Sequence, residues 1–253
     1  MSVAFFKRQT LRNNLMKGND FNGGVFPAPS FPPGTPLVYT NPDSSASYPG
    51  SGTTVFDLSG NGNNGTLTNG PTFTSGTPSY FNLDGTNDYI NYGDIGDTYG
   101  SFTAINWVYL SNNSGFKSIM SKWSDTGGQR SWMCLANGSQ FEAFFDRSGT
   151  FSNVRSFSSA LAFNATTWYM VALTYNSSTG ACEGFINNVS KGTATYGSSG
   201  DLFNSSSPLQ LGAQGEPSRY FTGRMGKFFL YKSVLSSTDL TNIWDTTKTN
   251  YGY

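Results

Sequence analysis

The sequence predicts an all-β protein, a sandwich or barrel of many short strands. Three observations carry this. Short runs rich in aromatic and β-branched residues recur from Leu37 onward, separated by turn clusters such as NGNNG, SDTGG, NSSTG and YGSSGD. No long 3.6-residue hydrophobic period interrupts them. Gly, Ser, Thr and Asn together make up 115 of 253 residues, aromatics 16% and charged residues only 12%, a balance suited to strands joined by polar turns rather than to a helical bundle or coiled coil.

In chain order, residues 1–20 stand apart. They contain no Pro, and Leu11 and Leu15 share an i, i+4 spacing, so a short helix is expected from about Val3 to Lys17, too short to hold in water without a surface to pack on. Residues 21–36 hold five Pro and three Gly, with Phe21, Phe26 and Phe31 spaced along them; they read as an extended strap. Strand-like runs follow at Leu37–Thr40, Ser79–Leu83, Tyr89–Tyr92, Phe102–Leu110, Lys117–Lys122, Ser131–Ala136, Gln140–Asp146, Val154–Phe157, Trp168–Tyr175, Ala181–Asn187, Leu209–Gly212 and Gly223–Tyr231. In Gln140–Asp146, Phe141, Ala143 and Phe145 alternate with Glu142, Phe144 and Asp146, the pattern of a strand with two unlike faces. Trp168–Tyr175 is apolar on both faces, as a strand covered on both sides would be. One helix signal occurs in the body: Ser236 or Ser237 as N-cap, Asp239 in the first turn, and Leu240, Ile243 and Trp244 on one face. The expected division is an arm and strap at 1–36 and a single β domain at 37–253.

Net charge is zero and histidine is absent. A neutral body exerts no long-range pull on phosphate backbones, so nucleic acid is not an expected partner. Without histidine there is no Ser-His-Asp or Cys-His arrangement. Cys134 and Cys182 fall within strand-like runs and are too few for a disulfide framework; they read as buried free thiols or as one bridge. No apolar run reaches membrane-spanning length, and Val3-Ala4-Phe5-Phe6 is too short for a secretory core.

Several segments resemble a known family. Asp57-Leu-Ser-Gly-Asn-Gly-Asn-Asn-Gly65-Thr resembles the DxSGNGxxG turn of laminin-G-like, concanavalin-A-like jelly rolls. Phe81-Asn-Leu-Asp-Gly-Thr-Asn-Asp88-Tyr-Ile90, Phe102-Thr-Ala-Ile-Asn-Trp107-Val and Ile119-Met-Ser-Lys-Trp123 resemble its next segments. Trp168-Tyr-Met-Val-Ala-Leu-Thr-Tyr175 resembles "WYHVVATYD", with Met170 in place of the His. Phe185-Ile-Asn-Asn188 stands where the family has "YVNG". Tyr220–Tyr231 followed by Val234–Leu240 resembles "YFNGKIGEVRIYNRALSAEEI", with Lys227 where the acidic residue stands. The segments occur in the family's order across about residues 37–245. The resemblance implies an antiparallel two-sheet jelly-roll sandwich of roughly 14 strands with the short C-terminal helix at one edge. Leu37-Val-Tyr-Thr40 and Ser47-Tyr-Pro-Gly-Ser-Gly-Thr-Thr-Val-Phe-Asp57 also resemble a version of the domain frequent in virion proteins of tailed phages.

Glycoside hydrolysis needs two carboxylates about 5–5.5 Å apart for retention or about 6.5–9.5 Å for inversion. The three glutamates, Glu142, Glu183 and Glu216, do not form the E-x-D-x-x-E pattern of the glucanase relatives, and Glu142 and Asp146 are about 13 Å apart along a strand. No catalytic residue is expected. Relatives often hold one calcium ion, and Asp57 at the head of its Gly/Asn loop is the candidate ligand, with Asp84 and Asp88 flanking another turn; the competing role of Asp57 is an Asx turn, in which Asn would serve equally well. Rings that could stack on a sugar are Trp123, Trp132 and Tyr99, with Tyr92 and Tyr196 behind them, while Trp107 and Trp168 belong to core strands. In the arm, Phe5, Phe6, Leu11, Leu15 and Met16 would insert into a neighbouring subunit, and Lys7, Arg8, Arg12 and Lys17 would pair with its acidic groups.

The expectation is therefore a non-enzymatic virion surface protein of a tailed phage, a head decoration or fibre or a tail or collar component, with the arm bound to capsid or tail subunits. It would be a homo-oligomer on the particle, with host-surface glycan as a further partner and no membrane partner. The alternative is a free carbohydrate-binding module; a glycoside hydrolase is the remote one.

Overall fold

A computed structural model describes residues 34–96, 100–160, 162–215 and 219–253. The arm residues Phe5, Phe6, Lys7, Arg8, Leu11, Arg12 and Leu15, the strap phenylalanines, Tyr99 and Glu216 lie outside the described residues.

Among the described residues sixteen strands are formed: β1 (Val38–Thr40), β2 (Thr54–Val55), β3 (Gly65–Thr68), β4 (Thr72–Thr74), β5 (Tyr80–Asp84), β6 (Tyr89–Asn91), β7 (Phe102–Leu110), β8 (Phe116–Ser124), β9 (Gln129–Asn137), β10 (Gln140–Gly149), β11 (Val154–Ser159), β12 (Trp168–Asn176), β13 (Ala181–Ile186), β14 (Val189–Thr195), β15 (Leu209–Leu211) and β16 (Thr222–Tyr231). One sheet runs β14-β13-β12-β7-β16-β5-β4, with β1 also on β16; the other runs β11-β10-β9-β8-β15-β6-β3-β2. Every pairing is antiparallel. This is the jelly-roll sandwich that the family resemblance implies. Each of the twelve expected runs is a strand. The unanticipated four are β2, β3, β4 and β14: the first three are short and sit among turn residues, and β14 is an exposed edge without an aromatic residue, so none carries the hydrophobic signal that marks a strand.

The main core lies between the sheets. Phe141, Ala143 and Phe145 of β10 enter it together with Tyr169, Val171, Leu173 and Tyr175 of β12. The opposite face of β12, with Trp168, Met170 and Ala172, joins a second cluster under the C-terminal helix. The two-faced reading of β12 is thus correct: it is a central strand between two apolar layers.

The helix α1 (Ser237–Thr247) starts at Ser236. The Ser236 hydroxyl accepts from the Asp239 amide at 3.2 Å, and the Asp239 carboxylate accepts from the Ser236 amide at 3.0 Å, a reciprocal cap. Eleven residues do not sustain a helix in water, so packing must hold it. It does not sit at the sandwich edge, as the resemblance implied. Leu240 and Ile243 cover the outer face of the central strands β7, β12 and β16 through Ile105, Met170 and Phe229, because that face presents a continuous apolar surface that must be removed from water. Trp107 stacks on Tyr251 at 4.0 Å and on Trp244 at 5.5 Å, and its indole N–H donates to Thr247 Oγ1 at 3.0 Å. Trp107 is completely buried and Trp168 nearly so, as expected. Gly226 admits the Tyr251 ring: a Cβ there would lie 2.4 Å from its hydroxyl oxygen. No helix among the described residues is long and apolar enough to cross a membrane.

Candidate ligand-binding face

The helix seals part of one outer face of the sandwich. The outer face of the other sheet carries a different chemistry. There Trp123, Met133 and Leu135 form a small cluster with Phe144 and Val154, separate from the main core. Above it stands Phe151, 46% exposed, its ring edge-on to Trp123 at 5.9 Å and tilted against Phe144 at 6.4 Å.

The β10–β11 turn positions Phe151. Asp146, completely buried, accepts the Ser148 amide and hydroxyl on one oxygen and the Phe151 amide on the other at 2.6 Å. This holds Phe151 at φ +69°, a left-handed conformation unfavourable for a residue with a bulky side chain.

A polar network borders the ring. The Asp125 carboxylate accepts from Trp123 Nε1 at 2.9 Å, Gln214 Nε2 at 2.9 Å and Arg130 Nε at 3.4 Å, with the Arg219 guanidinium 3.8 Å away. Burial raises the Asp125 pKa, but the Trp123 and Gln214 hydrogen bonds and the positive Arg219 more than offset it, so the carboxyl stays below its usual range. Arg130 lies 5.7 Å from the Phe151 ring centre, and Arg219 lies 5.6 Å from that of Phe116, which is 51% exposed. The result is two exposed aromatic rings flanking fixed guanidinium, carboxylate and amide groups. Rings offer a surface for C–H faces, and the charged groups offer directional bonds for hydroxyls.

Several expected residues are not at this surface. Trp123 and Trp132 are completely buried and present no open ring face: Trp123 lies beneath Phe151 and Arg130, and Trp132 packs tilted against Phe102 in the main core, ring centres 4.8 Å apart. Tyr92 is a core residue whose hydroxyl meets Thr40 Oγ1 at 2.9 Å. Tyr196 is packed between Arg147 and Arg155, 3.9 and 4.8 Å from its ring centre. Sequence reasoning missed Phe151, Phe116, Asp125 and Arg130. The available signal was an aromatic residue inside an otherwise polar turn, Ser148-Gly-Thr-Phe-Ser-Asn153.

The metal reading of Asp57 is also corrected. One carboxylate oxygen accepts the amides of Tyr39 and Ser59, both at 2.9 Å; the other accepts the Ser59 hydroxyl at 2.7 Å and the Asn63 amide at 3.0 Å. With four donors bound, it has no direction left for a cation. Asp84 turns to the Thr86 and Asn87 amides, and these bonds lower its pKa, while burial and the Asp84 charge raise that of Asp88. No group of three or more acidic, Cys or His side chains comes together among the described residues. The geometry does not fit calcium at Asp57. Cys134 and Cys182 are buried free thiols, as one of the two readings had it.

The sandwich resembles solved structures. The receptor binding domain of botulinum neurotoxin C/D mosaic serotype matches with TM-score 0.64 at 14% identity, over 84% of this chain and 51% of that one. The botulinum neurotoxin serotype G binding domain matches with TM-score 0.63 at 13% identity, over 83% and 51%. The serotype D ligand binding domain, solved in complex with N-acetylneuraminic acid, matches with TM-score 0.63 at 14% identity, over 84% and 51%. At these identities the likeness concerns the fold, and this chain spans about half the length of those proteins. No curated protein sequence matches it. The sequence model of a laminin-G family matches residues 84–241, and those residues build strands from both sheets and the first turn of the helix. This chain belongs to the concanavalin A-like lectin/glucanases superfamily and carries a lectin-like domain of that fold.

Proposed function

We propose that the protein is a non-enzymatic binding module that engages glycan through the Phe151 platform, and that it does so from the surface of a tailed-phage particle. The observation that carries the binding reading is Phe151 itself: an exposed aromatic ring held in a left-handed backbone by a buried carboxylate, beside a prearranged Asp125–Arg130–Gln214 network. Strain of this kind, fixed by its surroundings, concentrates at binding sites.

The carboxylates support a non-catalytic reading. Glu142 accepts from Asn137 at 2.8 Å, Glu183 from Ser190 at 2.5 Å, and Asp146 is held inside its turn. Glu142 and Asp146 stand four residues apart on β10, and Glu183 stands on β13 in the other sheet. Attachment to a particle rests on the sequence: Lys7, Arg8, Arg12 and Lys17 precede a Pro-rich strap and a domain of net negative charge.

The test is retention of the protein on immobilised host-envelope polysaccharide. The wild type should be retarded, and Phe151→Ala should lose about five- to tenfold in affinity, in line with stacking worth about 1–1.5 kcal/mol. Equal retention of the two proteins would refute the platform. Mass spectrometry of purified particles tests the location, and absence of the protein from them would refute the virion reading.

A further inference from the structure

The outer face opposite the platform holds a second unusual group. Arg224 of β16 is half-buried on the part of that face flanking the helix cluster. Its register partners are Asn82 of β5 and Tyr109 of β7, and Tyr109 in turn pairs with Trp168 of β12. Directly paired residues share a face, so Arg224 stands in a row with Asn82, Tyr109 and Trp168.

The Arg224 guanidinium carbon lies 4.2 Å from the ring centre of Tyr109 and 4.6 Å from that of Tyr80. Both tyrosine rings also touch Trp168, at 5.6 and 5.8 Å. The cation therefore sits over an aromatic floor, where the ring quadrupoles favour it. Among the described residues it has no ion pair and no hydrogen bond. The nearest carboxylate in register, Asp84 opposite Thr222, is committed to the Thr86 and Asn87 amides. The Tyr80 and Tyr109 hydroxyls likewise have no protein partner among the described residues. The other arginines among the described residues are occupied: Arg130 by Asp125, Arg147 by Tyr175 and three loop positions, Arg155 by two backbone oxygens, and Arg219 by Gln214.

A guanidinium with rings against it keeps its N–H groups for a partner beyond the protein, and their planar fork matches a carboxylate. Two phenol hydroxyls and the partly exposed rings of Tyr80 and Tyr109 beside it match the hydroxyls and C–H face of a pyranose, with the buried Trp168 holding both rings in place. We propose that Arg224, Tyr80 and Tyr109 form a binding site for a sugar acid, with the carboxylate on Arg224 and the pyranose ring over the tyrosines. The saccharide part of this assignment rests on the lectin-like reading above; the anion part does not, and the two sites lie on different sheets.

The experiment is a titration of the full chain with D-glucuronate, followed by protein NMR, with D-glucose, L-glutamate and inorganic phosphate as parallel arms. Glucuronate is expected to give saturable shifts that glucose does not, with glutamate and phosphate at least about tenfold weaker. Arg224→Gln should weaken glucuronate at least about tenfold, and Tyr109→Phe, which keeps the ring and removes only the hydroxyl, several-fold. Phe151→Ala should leave this titration unchanged while weakening polysaccharide retention, which separates failure of one site from failure of the other. Absence of saturable glucuronate shifts, or full retention of affinity in Arg224→Gln with the fold intact by circular dichroism, would overturn the site. Equal binding of glutamate or phosphate would overturn the sugar assignment.

Discussion

The Phe151 amide donates to Asp146 Oδ2 at 2.6 Å, so a completely buried carboxylate fixes the backbone beneath an exposed aromatic ring. Phe151 has φ +69°, which glycine adopts without penalty and phenylalanine does not. Phe151→Gly is therefore expected to raise stability by about 1 kcal/mol while losing polysaccharide retention, whereas Phe151→Ala loses retention with no gain in stability. Urea melts of the two variants alongside retention would show this, and a destabilised Phe151→Gly would mean that the ring's packing outweighs the backbone strain.

Asp57 offers a second test. The sequence reading allowed Asn to replace it freely. The structure shows both oxygens accepting two donors each, and an amide nitrogen cannot accept. Asp57→Asn is expected to cost about 1–2 kcal/mol, and a chelator should leave the wild-type melting temperature unchanged. A drop in melting temperature with chelator, absent in the variant, would restore the calcium reading.

At the open side of the sandwich, the Phe157 ring lies against two glycines. A Cβ at Gly184 would come within 2.6 Å of it, and one at Gly192 within 2.4 Å. Gly192→Ala should therefore destabilise the domain by about 1–3 kcal/mol through overpacking, and Phe157→Leu in the same chain should recover part of the loss. Denaturant midpoints of the single and double variants measure this; an unaffected Gly192→Ala would show that the ring can move aside.

Alkali should unfold the protein progressively. Burial pushes the Cys182 thiol and the Tyr39 phenol up to about 12, and Cys134, Tyr92 and Tyr251 also upward. Unfolded, these groups titrate near about 8.5 and 10. Above those values the unfolded chain binds fewer protons than the folded one, so stability falls as pH rises. The loss should begin near about pH 9 and continue beyond pH 12, with full stability from these groups below that window. Both thiols should resist a disulfide reagent at pH 8 until denaturant is added. Rapid labelling of the native protein would contradict the burial.

Removal of residues 1–36 should leave a soluble domain with the same β-type circular dichroism, because β1 and the strands after it pair among themselves. The same deletion should abolish incorporation into particles, and reversing the charge of Lys7, Arg8 and Arg12 should make attachment more salt-sensitive. Assembly of the truncated domain at full occupancy would refute the anchor.

The resemblance to the family implied the two-sheet sandwich, while the sequence by itself determined the all-β class, most strand positions and the helix start. These depend on local patterns, such as the alternation in β10, the two apolar faces of β12 and the Ser236–Asp239 spacing, and local sterics and capping act over only a few residues. Tertiary structure alone decided which rings are open. Trp123 is buried and Phe151 exposed because loops distant in sequence cross that face: Ser121 Oγ donates to Ala213 O across 92 positions, and Gln214 closes on Asp125 across 89. The helix packs on a face rather than an edge for the same reason, since Trp107 meets Thr247 across 140 positions. Strand propensity encodes none of these encounters. They follow from which apolar surfaces the completed sandwich leaves exposed and which segments are placed to cover them.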